Sequence, residues 1–408
     1  MTADIEFTAA TVWSDEQIET WARHASSRRA VTAVFGCRQH QLVGHGRAPA
    51  DVPAADDSTI VKHAKSAHSR GLRFLYLLNG RCEHLAFEEP RTRARFYSDL
   101  EWVAEDVRAD GVVVADVRVA KLIRARYSTS SLPIRVSTIA GVLTPRDLEP
   151  WVPLGIDGVV LHHDTGRDFE RLAALVSFLH QTSPESEVEL LVNESCLPRC
   201  PARDAHYARL ARESLNYVEG FQQNCNIPRF LDPSLVLAAR WIRPEDIEFY
   251  RSLGIRRFKI AGREMPQAWL DRAVYAYLSG TYGGNLVDLF TMTPPGLNVA
   301  AADIVFLNNP DLKGFLPGLR EWRGRDREFY REWAHHLWDK GAFRIEDPHA
   351  EYNNTGLWPK CQKPGEQLRR LMQLQEFSDP AFRHGARRGH HLVQILPARG
   401  KQHQEQML

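Results

Sequence analysis

The sequence predicts an α/β protein of the TIM-like (β/α)8 barrel class with a C-terminal helical and irregular extension. Three observations carry that prediction. Short apolar, β-branched runs recur eight times before residue 290. Continuous runs of this kind, without strict alternation, suit parallel strands buried on both faces. Between the runs lie stretches long enough for crossover helices, such as Ser58–Arg70 and Arg167–Gln181. Past about residue 290 the pattern stops, broken by TPPGL and NNPDL.

In chain order the expected strands are Val31–Cys37 (VTAVFGC), Arg73–Asn79 (RFLYLLN), Gly111–Asp116 (GVVVAD) and Ile134–Ile139 (IRVSTI). They continue with Gly158–His162 (GVVLH), Glu187–Asn193 (EVELLVN), Val236–Ile242 (VLAARWI) and Arg257–Ala261 (RFKIA). Eight strand–helix units within ~280 residues favour a closed barrel over a doubly wound sheet. Residues 1–290 are therefore read as the barrel and 291–408 as the extension. The aromatic, charged stretch from Leu319 to Trp338 reads as helical. The end, from about Phe382, is rich in Arg, His and Gln and is expected to be weakly ordered.

The 408 residues carry 52 Lys plus Arg against 51 Asp plus Glu, so no overall field argues for nucleic acid or an anionic membrane surface. The first residues, MTADIEFTAATVWSDEQIE, have acids where a signal peptide needs bases, and no run of about 18 apolar residues occurs. These features predict a cytoplasmic protein without a membrane span. Six cysteines are too few for a disulfide scaffold in so long a chain. Clustered cysteines in a reducing compartment bind metal or react.

Barrel enzymes work at the C-terminal ends of their strands. On the expected register Cys37, Cys82, Cys196, Cys200 and Cys225 all follow strand ends on that face, while Cys361 lies beyond the barrel. In LVNESCLPRCPARDAHY (Leu191–Tyr207), Cys196 and Cys200 make a Cys-x3-Cys turn held out of regular helix by two prolines. With Cys225 they can surround one metal or cluster. All-cysteine ligation suits iron–sulfur, whereas zinc accepts His206 or His84 as a partner. Spacing leaves the fourth ligand open among Cys82, Cys361 and Cys37, and buried, inert thiols are the alternative to any metal.

Other chemistry falls at the same face. Arg243 and Arg263 leave expected neighbouring strands, where two guanidiniums would clamp a carboxylate or phosphate. Arg243 could instead pair with Glu245 and Asp246 at a helix start opened by Pro244. His162, His163 and Asp164 follow the fifth expected strand and offer a proton relay or metal ligands. Asn79, Glu83, Asn193 and Glu194 stand beside the cysteines as polar supports. The sequence has no G-x-S-x-G, H-E-x-x-H, Walker loop or G-x-G-x-x-G after a strand, so the usual signals of serine hydrolases, zincins, nucleotide hydrolases and dinucleotide enzymes are missing.

The stretch NESCLPRCPARDAHY, with ARWIRPEDIEFYRSLGIRRFKIAGRE (Ala239–Glu264) and YLSGTYGGNLVDL (Tyr277–Leu289), resembles the collagenase-like peptidase family, the unclassified-mechanism peptidase family 32. The likeness runs from about Ala33 to Leu289. It implies a TIM-like barrel and, as in several members, a four-iron four-sulfur cluster used in oxygen-independent hydroxylation with prephenate as oxygen donor. It further implies cluster ligation by Cys196, Cys200 and Cys225, lends weight to Cys82 and places Arg263 in the functional mouth. The cysteine spacing matches neither the ubiquinone-type nor the RNA-type members closely, and a separate basic RNA-binding domain is missing.

The expected function is an iron–sulfur redox enzyme, a hydroxylase or related, acting on a small anionic organic substrate. Arg243 and Arg263 would grip that substrate or a prephenate-like donor, and His162 or His163 would move protons. The alternatives are a peptidase, as the family name suggests, and a non-catalytic protein whose zinc or other metal site is structural.

Overall fold

The structure, a computed structural model, describes residues 4–211, 225, 228–229, 232–291, 305–345, 372–376 and 393–397. Eight parallel strands follow one another around a closed barrel. They are β1 (Ile5–Ala10), β2 (Arg29–Gly36), β3 (Arg73–Leu78), β4 (Gly111–Val114), β5 (Ile134–Val136), β6 (Gly158–Val160), β7 (Glu187–Leu191) and β8 (Arg257–Ile260). β1 closes the ring by pairing with both β2 and β8.

The expected class holds, but one expected strand does not. Val236–Ile242 is no strand: Ser234–Ala238 is a short helix, and the chain beyond it meets the barrel through the Ile242 N–H donating to the Val192 carbonyl at 2.8 Å. An apolar run reads alike for a buried helix and a buried strand, and Pro233 at its start is compatible with a helix. The eighth strand is instead β1, whose Glu6 and Thr8 interrupt the apolar pattern. Glu6 pairs with Arg257 of β8 at 3.0 Å.

The barrel interior is charged at several further points, which is why its strands are not uniformly apolar. Buried Arg135 on β5 reaches Glu189 of β7 at 3.4 Å and Asp157 at 3.1 Å. Lys259 of β8 sits 4.0 Å over the Phe35 ring. Both expected crossover helices form, as Asp57–Ser69 and Phe169–Thr182. Asp56 caps the first by accepting from the Thr59 N–H at 2.7 Å, and Asp168 caps the second through the Arg171 N–H at 3.2 Å.

The expected helical stretch Leu319–Trp338 is two helices, Phe315–Glu321 and Asp326–Asp339, separated by a turn through Gly324. They share one apolar core with the barrel. Trp241 stacks on Phe290 (5.5 Å between ring centres) and on Phe315 (5.6 Å). Near the end, Val393–Pro397 pairs antiparallel with Met372–Glu376. That strand lies inside the segment from about Phe382, and its β-branched Val393 and Ile395 are the local signal for it. Cys361 lies outside the described residues. Among the described residues no helix is long and apolar enough to cross a membrane.

Candidate active site at the barrel mouth

The end of β7 is fixed to the end of β8 by one side chain. Asn193 accepts from the Ala261 N–H at 2.9 Å and donates to the Ala261 carbonyl at 2.8 Å. Glu194 then turns the chain by accepting from the Ser195 and Cys196 N–H groups at 2.9 and 3.1 Å. Three residues on, Arg199 has the left-handed φ of 52°. Its N–H donates to Asp164 Oδ2 at 3.1 Å, which secures a backbone state uncommon for a side chain of that size. Arg203 grips the same carboxylate at 2.8 Å and the Leu197 carbonyl at 2.5 Å, and Arg229 donates to the Ser195 carbonyl.

This frame places Cys196, Cys200 and Cys225 around one cavity of about 510 Å³, walled by Arg47, Arg203 and Arg229 and by Glu194 and Glu264. The Cys225 thiol donates to Cys200 and holds the Cys200 thiol down to about 6, helped by the Ala202 N–H and Arg203 against burial. The same bond, with burial, raises Cys225. Burial and then the Glu194 carboxylate push Cys196 up to about 12. Arg47 pairs with Glu264 at 2.8 Å, and its charge is reinforced by Glu264 and Glu194 despite burial. The cavity therefore offers sulfur donors among cations that offset thiolate charge.

The remaining expected site residues divide. Cys82 is fully buried in the apolar core, and its thiol donates to Asp116 Oδ2 at 3.3 Å; it does not line the cysteine cavity. Cys37 is buried and accepts from Arg263 Nη1 at 2.8 Å, and Arg263, itself buried, does not line the cysteine cavity. Arg243 does not join it as a clamp. Its fork closes on Asp246 at 2.9 and 3.0 Å, and Nη1 donates to the Asn309 carbonyl at 3.0 Å. The helix-start pairing prevails there because Pro244 begins the turn and brings Asp246 back to Arg243.

His162 and His163 stack at 4.4 Å and are both buried. Arg203 Nη1 donates to His162 Nε2 at 2.9 Å. Burial first, then Arg203, lowers His162 to about 4, and burial, then Arg203, holds His163 well below the usual histidine value. Both directions favour neutral imidazoles at pH 7. One potential ligand atom from each of His162, His163 and Asp164 comes within 4.8 Å of the others. Arg203 already occupies two of those groups, which disfavours a second cation there.

Arg47 and Arg229 are site residues that motif reading missed. Arg47 lies in the long connection between β2 and the helix at Asp57, and a connection of that length is itself a functional signal. Arg229 has no comparable signal.

The chain is 25% identical over 256 residues to an uncharacterized protease of Methanocaldococcus jannaschii, a match covering 61% of this chain and 72% of that protein. The sequence match is to a protein named as a protease. Among solved structures the chain aligns with a U32 peptidase at 18% identity and a TM-score of 0.46, covering 65% of this chain and 95% of that one. It also aligns with a citrate synthase at 11% identity and a TM-score of 0.32, covering 68% and 92%. No protein-family model matches.

Proposed function

We propose that the chain is an enzyme of the collagenase-like peptidase type that works at the cysteine-lined cavity, with Cys196, Cys200 and Cys225 holding an iron–sulfur cluster. One observation carries the reading: three thiols from two separate segments line one cavity together with three guanidiniums, those of Arg47, Arg203 and Arg229. The donor set fits such a group, since clusters take thiolate ligands, and Arg203 and Arg229 oppose the rise that burial imposes on Cys196. Cys82, turned toward Asp116, does not complete the set, which leaves a fourth position for another ligand. When bound, a cluster supplies redox and Lewis-acid chemistry. The chain's own residues do the rest: Arg203 and Arg229 fix the turn, and Glu194 orients the Cys196 backbone. Oxygen-independent hydroxylation of a small anionic substrate, with a prephenate-like oxygen donor, is the finer part of the proposal and rests on the sequence resemblance.

A second reading is peptide hydrolysis with Cys200 as nucleophile. The protease name of the 25%-identical relative favours it, as does the low pKa of about 6 at Cys200. One experiment separates the two. The protein is purified without oxygen, and iron, sulfide and zinc are measured with the visible spectrum for wild type, Cys200→Ala, Cys225→Ala and Cys82→Ala. The cluster reading expects a brown protein with about four irons, bleached by the first two variants and unchanged in Cys82→Ala. A colourless protein whose cleavage of a peptide library is abolished in Cys200→Ala replaces it with the hydrolase.

A further inference from the structure

A second cavity, about 1250 Å³, lies on the other side of Cys200 and Arg203, between the His162–Asp168 loop and the first helices of the extension. Cys200 and Arg203 line both cavities. Eight arginines and five carboxylates line the larger one. Three of those arginines are neutralised by carboxylates of the same wall: Arg81 by Asp204, Arg171 by Asp168 and Arg203 by Asp164.

Arg240 is the exception that matters. It is 7% exposed, its Nη1 donates to the neutral Tyr330 hydroxyl at 2.7 Å, and its Nε is buried without a hydrogen-bond partner. No carboxylate among the described residues forms an ion pair with it, although Glu170 and Asp326 line the same cavity. Buried Arg167 lies nearby, held by the Leu237 and Trp241 carbonyls and by the ring faces of Trp241 at 4.1 Å and Phe315 at 5.0 Å. A buried guanidinium without an anion is costly, and folds retain one where a ligand supplies the counter-charge. At the rim, the side chains of Arg199, Arg320 and Arg323 form no ion pair among the described residues. The strained φ of 52° at Arg199 fixes the chain where its side chain lines this cavity. Trp322 and Phe169 add aromatic surface to the same wall.

We propose that this cleft binds an organic oxyanion, a small molecule carrying carboxylate or phosphate groups, with its charge against Arg240 and Arg199. Guanidinium forks match both groups. The cleft, at about 1250 Å³, has room for a ligand of drug-like size together with water. The inference goes beyond the cysteine chemistry and stands whether or not a cluster is held there, because it concerns binding on the arginine side of the shared wall.

The test is calorimetric titration of the full chain, prepared free of phosphate and citrate, with citrate and with pyrophosphate as probes at low and raised salt. Saturable binding of either probe is expected, weakened by about tenfold in Arg199→Gln and about a hundredfold in Arg240→Gln, and unchanged in the exposed control Arg91→Gln. Preference for citrate or for pyrophosphate identifies the carboxylate or the phosphate source. Arg240→Met provides a second readout. If Arg240 serves a ligand, removing its unpaired charge leaves the ligand-free protein at least as thermally stable as wild type; if it is only a structural partner of Tyr330, the melting temperature falls. Should Arg240 variants not fold, Arg199→Gln decides the matter, since Arg199 is exposed. Absence of binding in wild type, or equal binding in Arg199→Gln and Arg240→Gln, overturns the proposal.

Discussion

Cys200 and Cys196 belong to one turn, yet their neighbours give them opposite behaviour. Cys200 receives the Cys225 thiol hydrogen and is held down to about 6, while burial and Glu194 push Cys196 up to about 12. In metal-free protein, iodoacetamide is therefore expected to modify Cys200 with a half-maximal rate near pH 6 and to leave Cys196 unmodified through the neutral range, as read by peptide mass mapping. Cys225→Ala removes the donor, so the Cys200 profile should move upward in pH. His162 makes a different claim. Its value is lowered from 6.5 to about 4 by burial, then by Arg203. Between those values the unfolded chain takes up a proton that the folded chain refuses, so stability is lost as pH falls from 6.5 towards 4. The gap corresponds to about 3 kcal/mol at most. Urea unfolding at about pH 7 and pH 4.5 should show this loss in wild type and a smaller one in His162→Gln.

At the level of elements, the end of β8 shows how a turn aims a functional side chain. Gly262 has φ of 133°, and a Cβ there would lie 2.3 Å from the Trp269 ring. Both facts require glycine, and the next residue is Arg263, whose Nη1 reaches Cys37 at 2.8 Å. Gly262→Ala is expected to destabilise by about 2 kcal/mol or more and to disturb the Arg263–Cys37 contact, measured by thermal unfolding and by Cys37 alkylation. Seven of the eight expected strand runs overlap barrel strands, because parallel strands covered on both faces leave a continuous apolar trace. The failures have the same origin. Val236–Ile242 leaves an equally apolar trace as a buried helix and loop, while β1 hides behind Glu6, which the barrel tolerates because Arg257 faces it. The cysteine turn was legible from its spacing. Arg243 was legible in both its readings, and its local partner Asp246 decided between them. Arg47 and Arg229 were not legible, since their roles arise from segments distant in sequence that meet only in the fold.

For the whole molecule, the extension is part of what makes the barrel stable. The aromatic cluster of Phe315, Phe329 and Tyr330 belongs to the same core as the barrel strands, with Trp241 as the link. Across that join, Arg243 donates to the Asn309 carbonyl, Asn309 Nδ2 donates to Glu245 at 2.8 Å, and Tyr330 accepts from Arg240. Cutting the chain after residue 290 would bare one face of Trp241, on the order of 100 Å², at a cost of about 2.5 kcal/mol. It would also remove the Tyr330 hydroxyl from Arg240 and the Asn309 groups from Arg243 and Glu245, each loss on the order of 1 kcal/mol. Against a typical total of about 5–15 kcal/mol, that sum is large. The fragment 1–290 is therefore expected to melt well below the full chain or to aggregate through the uncovered aromatic face, as circular dichroism melting and size-exclusion chromatography would show. A fragment as stable as the full chain would mean that the barrel folds without the extension. The same cut opens the arginine-lined cleft, because Arg320, Trp322 and Arg323 form its far wall. Loss of oxyanion binding in a fragment that stays folded would therefore tie the extension to ligand capture as well as to stability.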